Sequence, residues 1–462
     1  IAKGGTTVGF VTLDLVSFGQ IGHITMEFLP RIRARVQREL GLDPANLVFN
    51  VNHGHGVPCD DVEERTFSAI AAAAASMVPV ALGTGRGHED RIQENRRMFL
   101  KDGSESDVRG AYALPPDEEV EGIGPIDPSI GVLRLDRLSD GAVLAVLFNF
   151  ACHPIMGTPS GGNGADLTGY AAELIEDGCS PGVTVALFLQ GCSGDVNPIG
   201  YKDVDRPKDA LPLGQMLGHS VLQAARAIVP RAQCDLRAVS ETLQLPRVES
   251  SARIVALEAE RDRLVASLQG THLDLKMFVP LLIKYQLGGD FPSGHATRYR
   301  HEEALGRDGL TKLDDTNRAH LAAYIDNVHA MEAITRINTN LALLRMHREK
   351  AEEAGGADVP LVRSRDDICR LAVVPRRPQR PPGRVPRRAS SLSGAAVLCA
   401  QEAEMVGLRL GEMVLTTFPG ELSVRIGLKL KASSPHPVSL KLHAWLRILV
   451  SDSHENSRLE SG

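Results

Sequence analysis

The sequence predicts an α/β fold of mixed sheets flanked by helices, and three observations predict it. Short apolar, β-branched runs recur along the chain, among them Thr7–Asp14, Asn46–Val51, Ile130–Asp136, Ala142–Phe150, Val183–Leu189 and Met413–Phe418. Longer stretches with apolar residues at helical spacing lie between them, at Ile21–Leu40, Val62–Pro79, Leu167–Asp177 and Pro212–Ile228. Several of the apolar runs also end abruptly in histidine, glycine or carboxylate. In open α/β sheets the carboxyl ends of strands are where ligands gather.

The first unit reads as β-α-β. Thr7–Asp14 is a strand, Ile21–Leu40 carries Arg31, Arg33, Arg35, Arg38 and Glu39 between apolar positions, and Gly41 with Pro44 stops that helix. Asn46–Val51 then runs straight into Asn52-His53-Gly54-His55-Gly56. Val62–Pro79 is a helix with an alanine-rich centre, followed by loops and short strands. Ala142–Phe150 is almost wholly apolar, as a strand covered on both faces should be, and ends at Ala151-Cys152-His153-Pro154. A glycine-rich loop, Ser160–Asp166, leads into the helix at Leu167. Val183–Leu189 opens into Gln190-Gly-Cys-Ser-Gly-Asp-Val-Asn-Pro198, and Met413–Phe418 into Pro419-Gly420-Glu421, with a helix expected over Leu422–Lys431.

Residues 249–355 differ in character. Two charged amphipathic stretches, 249–268 and 315–354, flank a less regular middle and predict an antiparallel helical hairpin inserted into the α/β domain. Residues 356–395 include Pro375–Arg388, basic and proline-rich, which reads as an extended surface loop because no aromatics interleave its arginines. The expected division is therefore an α/β domain from 1–248 and 396–435, the helical insertion at 249–355, the loop at 356–395, and an atypical tail at 436–462 without a clear core pattern.

Composition excludes several function classes. The 462 residues carry 51 Lys+Arg against 57 Asp+Glu, a formal net charge of −6, so no global positive field gathers nucleic acid. With 43% hydrophobic residues, wholesale disorder is excluded. No apolar run reaches the roughly 20 residues needed to span a bilayer. The seven cysteines form no CxxC pair, and their odd number argues for separate thiols over a complete disulfide framework.

Three strand ends offer metal ligands: the His53/His55 pair, His153 and Glu421. Catalytic zinc takes about three protein ligands of this type and leaves one position open. On an extended segment His53 and His55 would point to the same side. Each also has a plainer explanation: hydrogen-bonding loop histidines, a satisfied core histidine, and a carboxylate at a helix N-terminus. Ser193, in Gly191-Cys-Ser-Gly194 after a strand, suggests a serine nucleophile, but its spacing is not that of the GxSxG elbow.

Taken in order, Asn52-His-Gly-His-Gly-Val-Pro58, Asn149-Phe-Ala-Cys-His-Pro154, Gly191-Cys-Ser-Gly-Asp-Val-Asn-Pro198 and Thr416-Thr-Phe-Pro-Gly-Glu421 resemble the neutral/alkaline (non-lysosomal) ceramidase family. Phe10–Asp14, Asp127–Arg134 and Asp166–Tyr170 support the resemblance, which covers residues 5–230 and 403–431. It implies a Zn²⁺-dependent amidase acting on a ceramide-like lipid amide or another small-molecule amide, with possible peripheral membrane contact. It implies His53, His153 and Glu421 as metal ligands, His55 and Asn197 as catalytic positions, and Gly191 and Asp195 near the substrate.

Three departures stand out. Asn197 occupies the place of a family serine tied to activity, and an amide is no hydroxyl nucleophile. Gly56 replaces a serine after the second histidine. The family's further tyrosine ligand has no counterpart, since the last tyrosine is Tyr324; His436, His443 and His454 are substitutes or, more simply, surface histidines. The thirty residues after the expected helix are too few for the family's C-terminal immunoglobulin-like sandwich, which needs about 100. A non-catalytic relative that keeps the fold for binding is the alternative expectation.

Overall fold

The computed structural model describes residues 1–18, 24–25, 27–103, 105–107, 115, 117–162, 164–203, 205–246, 250–271, 276, 279–280, 283, 296–353, 400–436, 438–443 and 448–449. The proline-rich segment 356–395 and the tail beyond Leu449 lie outside them. The described residues form two compact units, one drawn from Ile1–Arg247 with Ala400–Gly462, the other from Val248–Ala357.

In the first unit the strands follow in the order β1 (Ala2–Lys3), β2 (Thr6–Thr7), β3 (Gly9–Leu13), β4 (Leu47–Val51), β5 (Val80–His88), β6 (Gln93–Asn95), β7 (Arg97–Leu100), β8 (Glu105–Asp107), β9 (Val120–Ile123), β10 (Ser129–Arg137), β11 (Val143–Phe150), β12 (Val185–Gln190), β13 (Val196–Pro198), β14 (Leu236–Pro246), β15 (Ala400–Leu410), β16 (Met413–Phe418), β17 (Val438–His443) and β18 (Ile448–Leu449). Its helices are α1 (Phe28–Leu40), α2 (Val62–Ala75), α3 (Asp166–Gly178), α4 (Leu211–Arg226) and, close to the chain end, α8 (Val424–Ala432). The second unit contains α5 (Ser251–Ser267), α6 (Ala296–Ala304) and α7 (Gly309–Glu353).

The main sheet has the order β12-β11-β10-β5, with β11 and β12 parallel and β10 antiparallel to both its neighbours. Successive residues of its strands serve opposite faces, as pleating requires. Val132, Val146 and Phe148 pack on α3 and α4 through Leu167, Ala171, Ile175, Leu217 and Val221. Leu133 and Leu147, one residue out of phase, join Leu408, Leu410, Met413 and Leu415 of the second sheet. That sheet runs β14-β15-β16-β17, antiparallel except for the parallel β16/β17 pair. The architecture is thus α/β with mixed sheets, as expected.

The parallel pair β3/β4 carries α1 and α2 on one face, closed by Phe28, Ile32, Val36, Phe49, Val51, Phe67 and Ile70. Polar bonds join the pair to β12. Asn50 accepts from the Gln190 N–H at 2.9 Å and donates to the Phe188 carbonyl, which Thr12 Oγ1 also reaches. The carboxyl ends of four strands, β4, β11, β12 and β16, lead into the motif residues.

Some boundaries differ from expectation. The first helix begins at Phe28 instead of Ile21. The helix after Glu421 starts at Val424, two residues later than expected. The tail, read as patternless, supplies β17, which pairs with all six residues of β16, and β18, which pairs with β15. Both segments join by backbone pairing with β16 and β15, and Val438-Ser-Leu-Lys-Leu-His443 does alternate apolar and polar residues.

In the second unit α5 and α7 form the expected antiparallel hairpin: Glu258 pairs with Arg345, while Gln269, further along α5's direction, bonds Asn327. A small hydrophobic cluster of Ile254, Leu257, Ile337 and Leu341 holds the two helices together. Among the described residues of the whole chain, no helix is long and apolar enough to cross a membrane, and Cys59, Cys152, Cys179, Cys192 and Cys234 are free thiols.

Candidate metal centre

His53, His153 and Glu421, far apart in sequence, converge. Their ligand atoms all lie within 4.8 Å of one another. Glu421 Oε1 stands 2.7 Å from His153 Nε2 and 3.5 Å from His53 Nε2. The two imidazoles meet edge to face, centroids 4.7 Å apart.

Each of the three side chains is set by a different local device. His153 follows β11 and is 2% exposed. Its backbone N–H and its ring Nδ1 both bond the Val196 carbonyl, at 3.1 and 3.0 Å. Because a carbonyl only accepts, Nδ1 donates this bond, and Nε2 is the ring nitrogen turned toward Glu421. A hydrogen bond at the other ring nitrogen is how a metal-binding histidine is usually oriented.

His53 follows β4 but is not extended, contrary to expectation. Its φ is 65°, a left-handed conformation rare for a side chain larger than glycine. The His53 N–H bonds the Leu15 carbonyl at 2.9 Å, and the Asn52 amide bridges Asp14 Oδ1 and the Gly54 N–H. Burial raises the Asp14 carboxyl above its ordinary value. The turn, and not strand alternation, brings the His53 and His55 rings to 5.5 Å. His55 is exposed, its ring 6.4 Å from that of His153.

Glu421 sits between the end of β16 and α8, with its side chain about one-third exposed. The Gly194 N–H donates to the Leu422 carbonyl at 2.9 Å. Asp195 is fully buried, and its two oxygens face the Val424 N–H at 2.8 Å and Arg97 Nε at 3.4 Å. Asn197, on β13 and 1% exposed, accepts from Arg96 at 3.4 Å, and its Nδ2 finds no acceptor among the described residues. Gly191 meets the end of β11, where a Cβ would lie 2.8 Å from the Phe150 carbonyl, so close strand contact demands glycine there. Ser193 is buried and accepts from Gln190 Nε2 at 2.7 Å.

Arg96 and Arg97 were not singled out from the sequence. Arg96 donates to the Gly194 carbonyl at 2.6 Å, its N–H bonds the Asp195 carbonyl, and Arg97 pairs with Asp195 and Glu105. Their one sequence signal is a pair of arginines flanked by Asn95 and an apolar strand, which many surface segments share.

The donor set fits a divalent cation. Two imidazole nitrogens and one carboxylate oxygen are the mixture zinc takes, and ligands about 2.1 Å from a tetrahedral metal stand roughly 3.4 Å apart. The His53–Glu421 separation of 3.5 Å already matches, and the His153–Glu421 pair has only to open by less than an ångström.

The chain matches no protein-family profile and no curated protein sequence. Among solved structures it is similar to a neutral ceramidase from Pseudomonas aeruginosa, with 15% identity and a TM-score of 0.43 over 91% of this chain and 55% of that one. It is also similar to a ceramidase complexed with C2, with 15% identity and a TM-score of 0.45 over 94% of this chain and 60% of that one. The chain thus spans less than two thirds of the length of either structure.

Proposed function

We propose that the chain is a metal-dependent hydrolase of linear amides, with Zn²⁺ as the metal and an N-acyl lipid of the ceramide type as the substrate class. The observation that carries this reading is the convergence of His53, His153 and Glu421 within 4.8 Å from three separate strand ends. The four motifs that resemble neutral ceramidases supply the substrate class.

In this reading His53, His153 and Glu421 hold the metal. A bound Zn²⁺ supplies Lewis-acid polarisation of a carbonyl and acidifies water toward neutral pH. His55, exposed beside the ligands, carries a proton to the leaving amine or donates to the carbonyl oxygen as charge develops on it. Asn197 offers the free amide hydrogens of Nδ2 for orientation, and no hydroxyl nucleophile is required of it. Gly191 and Asp195 shape the wall behind the ligands. A lipid substrate would be met at a membrane surface through peripheral contact.

The test combines metal analysis with turnover. Purified protein should hold about one Zn²⁺ per chain and hydrolyse members of a fluorogenic N-acyl amide panel, with activity lost on chelation and restored by zinc. Protein that takes up no zinc would sink the reading. The second reading, a relative that binds without turnover, is favoured by Asn197 standing where the family has a serine. It predicts bound zinc with the same background signal in wild type and His55→Ala, with or without chelator.

A further inference from the structure

We infer that Asp195 is a positioning residue, which fixes Glu421 relative to His153 through a clamp made by three consecutive residues, Gly194 to Val196. The inference rests on the metal-site reading above. Its starting point is the helix that follows Glu421. The first N–H groups of any helix lack intrahelical partners and are usually capped by the preceding Ser, Thr, Asp or Asn. Ser423 occupies that cap position in α8, yet its side chain makes no capping bond. Asp195, 229 residues away in sequence, supplies the acceptor instead: its Oδ1 takes the Val424 N–H at 2.8 Å. A buried carboxylate at the positive end of a helix is electrostatically favoured as well as hydrogen-bonded.

The neighbours of Asp195 complete the device. On one side the Gly194 N–H holds the Leu422 carbonyl at 2.9 Å, so the segment just after Glu421 is gripped at two points. On the other side the Val196 carbonyl receives both the backbone N–H and the ring Nδ1–H of His153. One short run of backbone therefore sets two of the three ligands. It is itself braced from behind, because Arg96 donates to the Gly194 carbonyl, the Arg96 N–H bonds the Asp195 carbonyl, and Arg97 lies 3.4 Å from Asp195 Oδ2. Asp195 is fully buried and its oxygens are already engaged, which suits a group acting through Glu421 better than one touching substrate. The grip also leaves no slack: a Cβ on Gly194 would stand 3.1 Å from the Leu422 carbonyl oxygen and 3.3 Å from Glu421 Cγ.

The test reads metal affinity and coordination without relying on activity. Co²⁺ is titrated into metal-free protein, with its visible absorption reporting ligand geometry, and Zn²⁺ affinity is measured by competition with a chromophoric chelator. Asp195→Ala is expected to weaken binding about 10–100-fold, the usual cost of losing an outer-shell partner, and to change the Co²⁺ spectrum. Asp195→Asn keeps an oxygen for the Val424 N–H and should restore affinity to within a few-fold of wild type. Gly194→Ala perturbs the same grip by crowding and should weaken binding independently, so the inference stays testable if Asp195→Ala fails to fold. Leu217→Ala, a core truncation on α4, is the control for general destabilisation.

Wild-type affinity and spectrum in both Asp195→Ala and Gly194→Ala would overturn the clamp. So would an Asp195→Asn variant as weak as Asp195→Ala, or equal weakening in Leu217→Ala. Failure of the wild-type protein itself to bind Co²⁺ or Zn²⁺ is a separate outcome, and it overturns the metal-site reading beneath this one.

Discussion

The two histidines that face Glu421 are built on opposite terms. His153 follows a strand whose last five residues are all buried, and it is locked by two hydrogen bonds to a single carbonyl. His53 stands on a turn between Asn52 and Gly54 in a left-handed conformation, is partly exposed, and has the exposed His55 nearby. The contrast teaches a division of labour. A side chain held by core packing keeps its place at no conformational cost, whereas one on a strained turn needs some compensation from that turn. In the proposed metal-site reading that compensation is His55, carried close to His53 yet exposed.

The largest effect should come from the locked side. His153→Ala removes a ligand and leaves the Val196 carbonyl short of one partner. Zinc affinity should fall by more than about 100-fold, beyond the usual range for outer-shell losses, as read by chelator competition. A fall in unfolding free energy of about 0.5–1.5 kcal/mol should accompany it, from the lost ring hydrogen bond to a carbonyl that keeps its backbone partner. Affinity unchanged from wild type would remove His153 from the ligand set.

On the open side, His55→Ala separates binding from chemistry. Turnover of an N-acyl amide should drop about 10²–10⁴-fold, the range for a lost proton-transfer group, while zinc content stays at the wild-type level. A variant that loses both together would show the open side to be as structural as the locked one.

Little of this contrast is visible in the sequence, although the three converging residues themselves are. The β-branched runs before His53, His153 and Glu421 declare strands, and strand ends are where ligands belong, so local pattern suffices to nominate the residues. What escapes is long-range. Asp195 caps a helix 229 residues away, Arg96 braces a loop 98 residues away, and no local spacing encodes either bond. β5 was hard to read for another reason. Gly83, Gly85 and Gly87 depress strand propensity, yet α4 and the residues after it pack so closely that a Cβ at Gly83 would lie 2.3 Å from Ile228. The tail strand β17 gains its place from the edge of β16, a context its own six residues do not contain.

Asp166 offers a smaller effect, at the other non-glycine residue with positive φ. Burial raises its carboxyl above the ordinary value, an effect only partly offset by the backbone N–H groups of Leu167, Gly157 and Met156. In the unfolded chain this carboxyl ionises near pH 4, before it does in the folded protein. Between those two values the folded state holds the extra proton, so stability contributed here falls as pH rises through the window and levels off above it. Asp166→Asn, which tolerates the same backbone, should flatten that slope in denaturant melts from pH 4 upward. An unchanged slope would assign the pH dependence to other groups.

The finest test sets the two histidines against each other with backbone alone. Replacing His53 by Gly or by Ala removes the same ligand, so both variants should lose zinc equally. They differ in how the residue bears a φ of 65°: alanine carries the steric strain, of about 1–2 kcal/mol, and glycine does not. Glycine's greater entropy in the unfolded chain returns about 0.5–1 kcal/mol of that. His53→Gly should therefore be more stable than His53→Ala by about 0.5–1 kcal/mol. At His153, which has no positive φ and precedes Pro154, glycine has only its entropy to lose, and the order should invert by a similar amount. Equilibrium unfolding of the four metal-free variants reads both differences. Alanine more stable than glycine at both sites would mean that the turn at His53 is unstrained, and the explanation for its shape would have to come from somewhere other than His55.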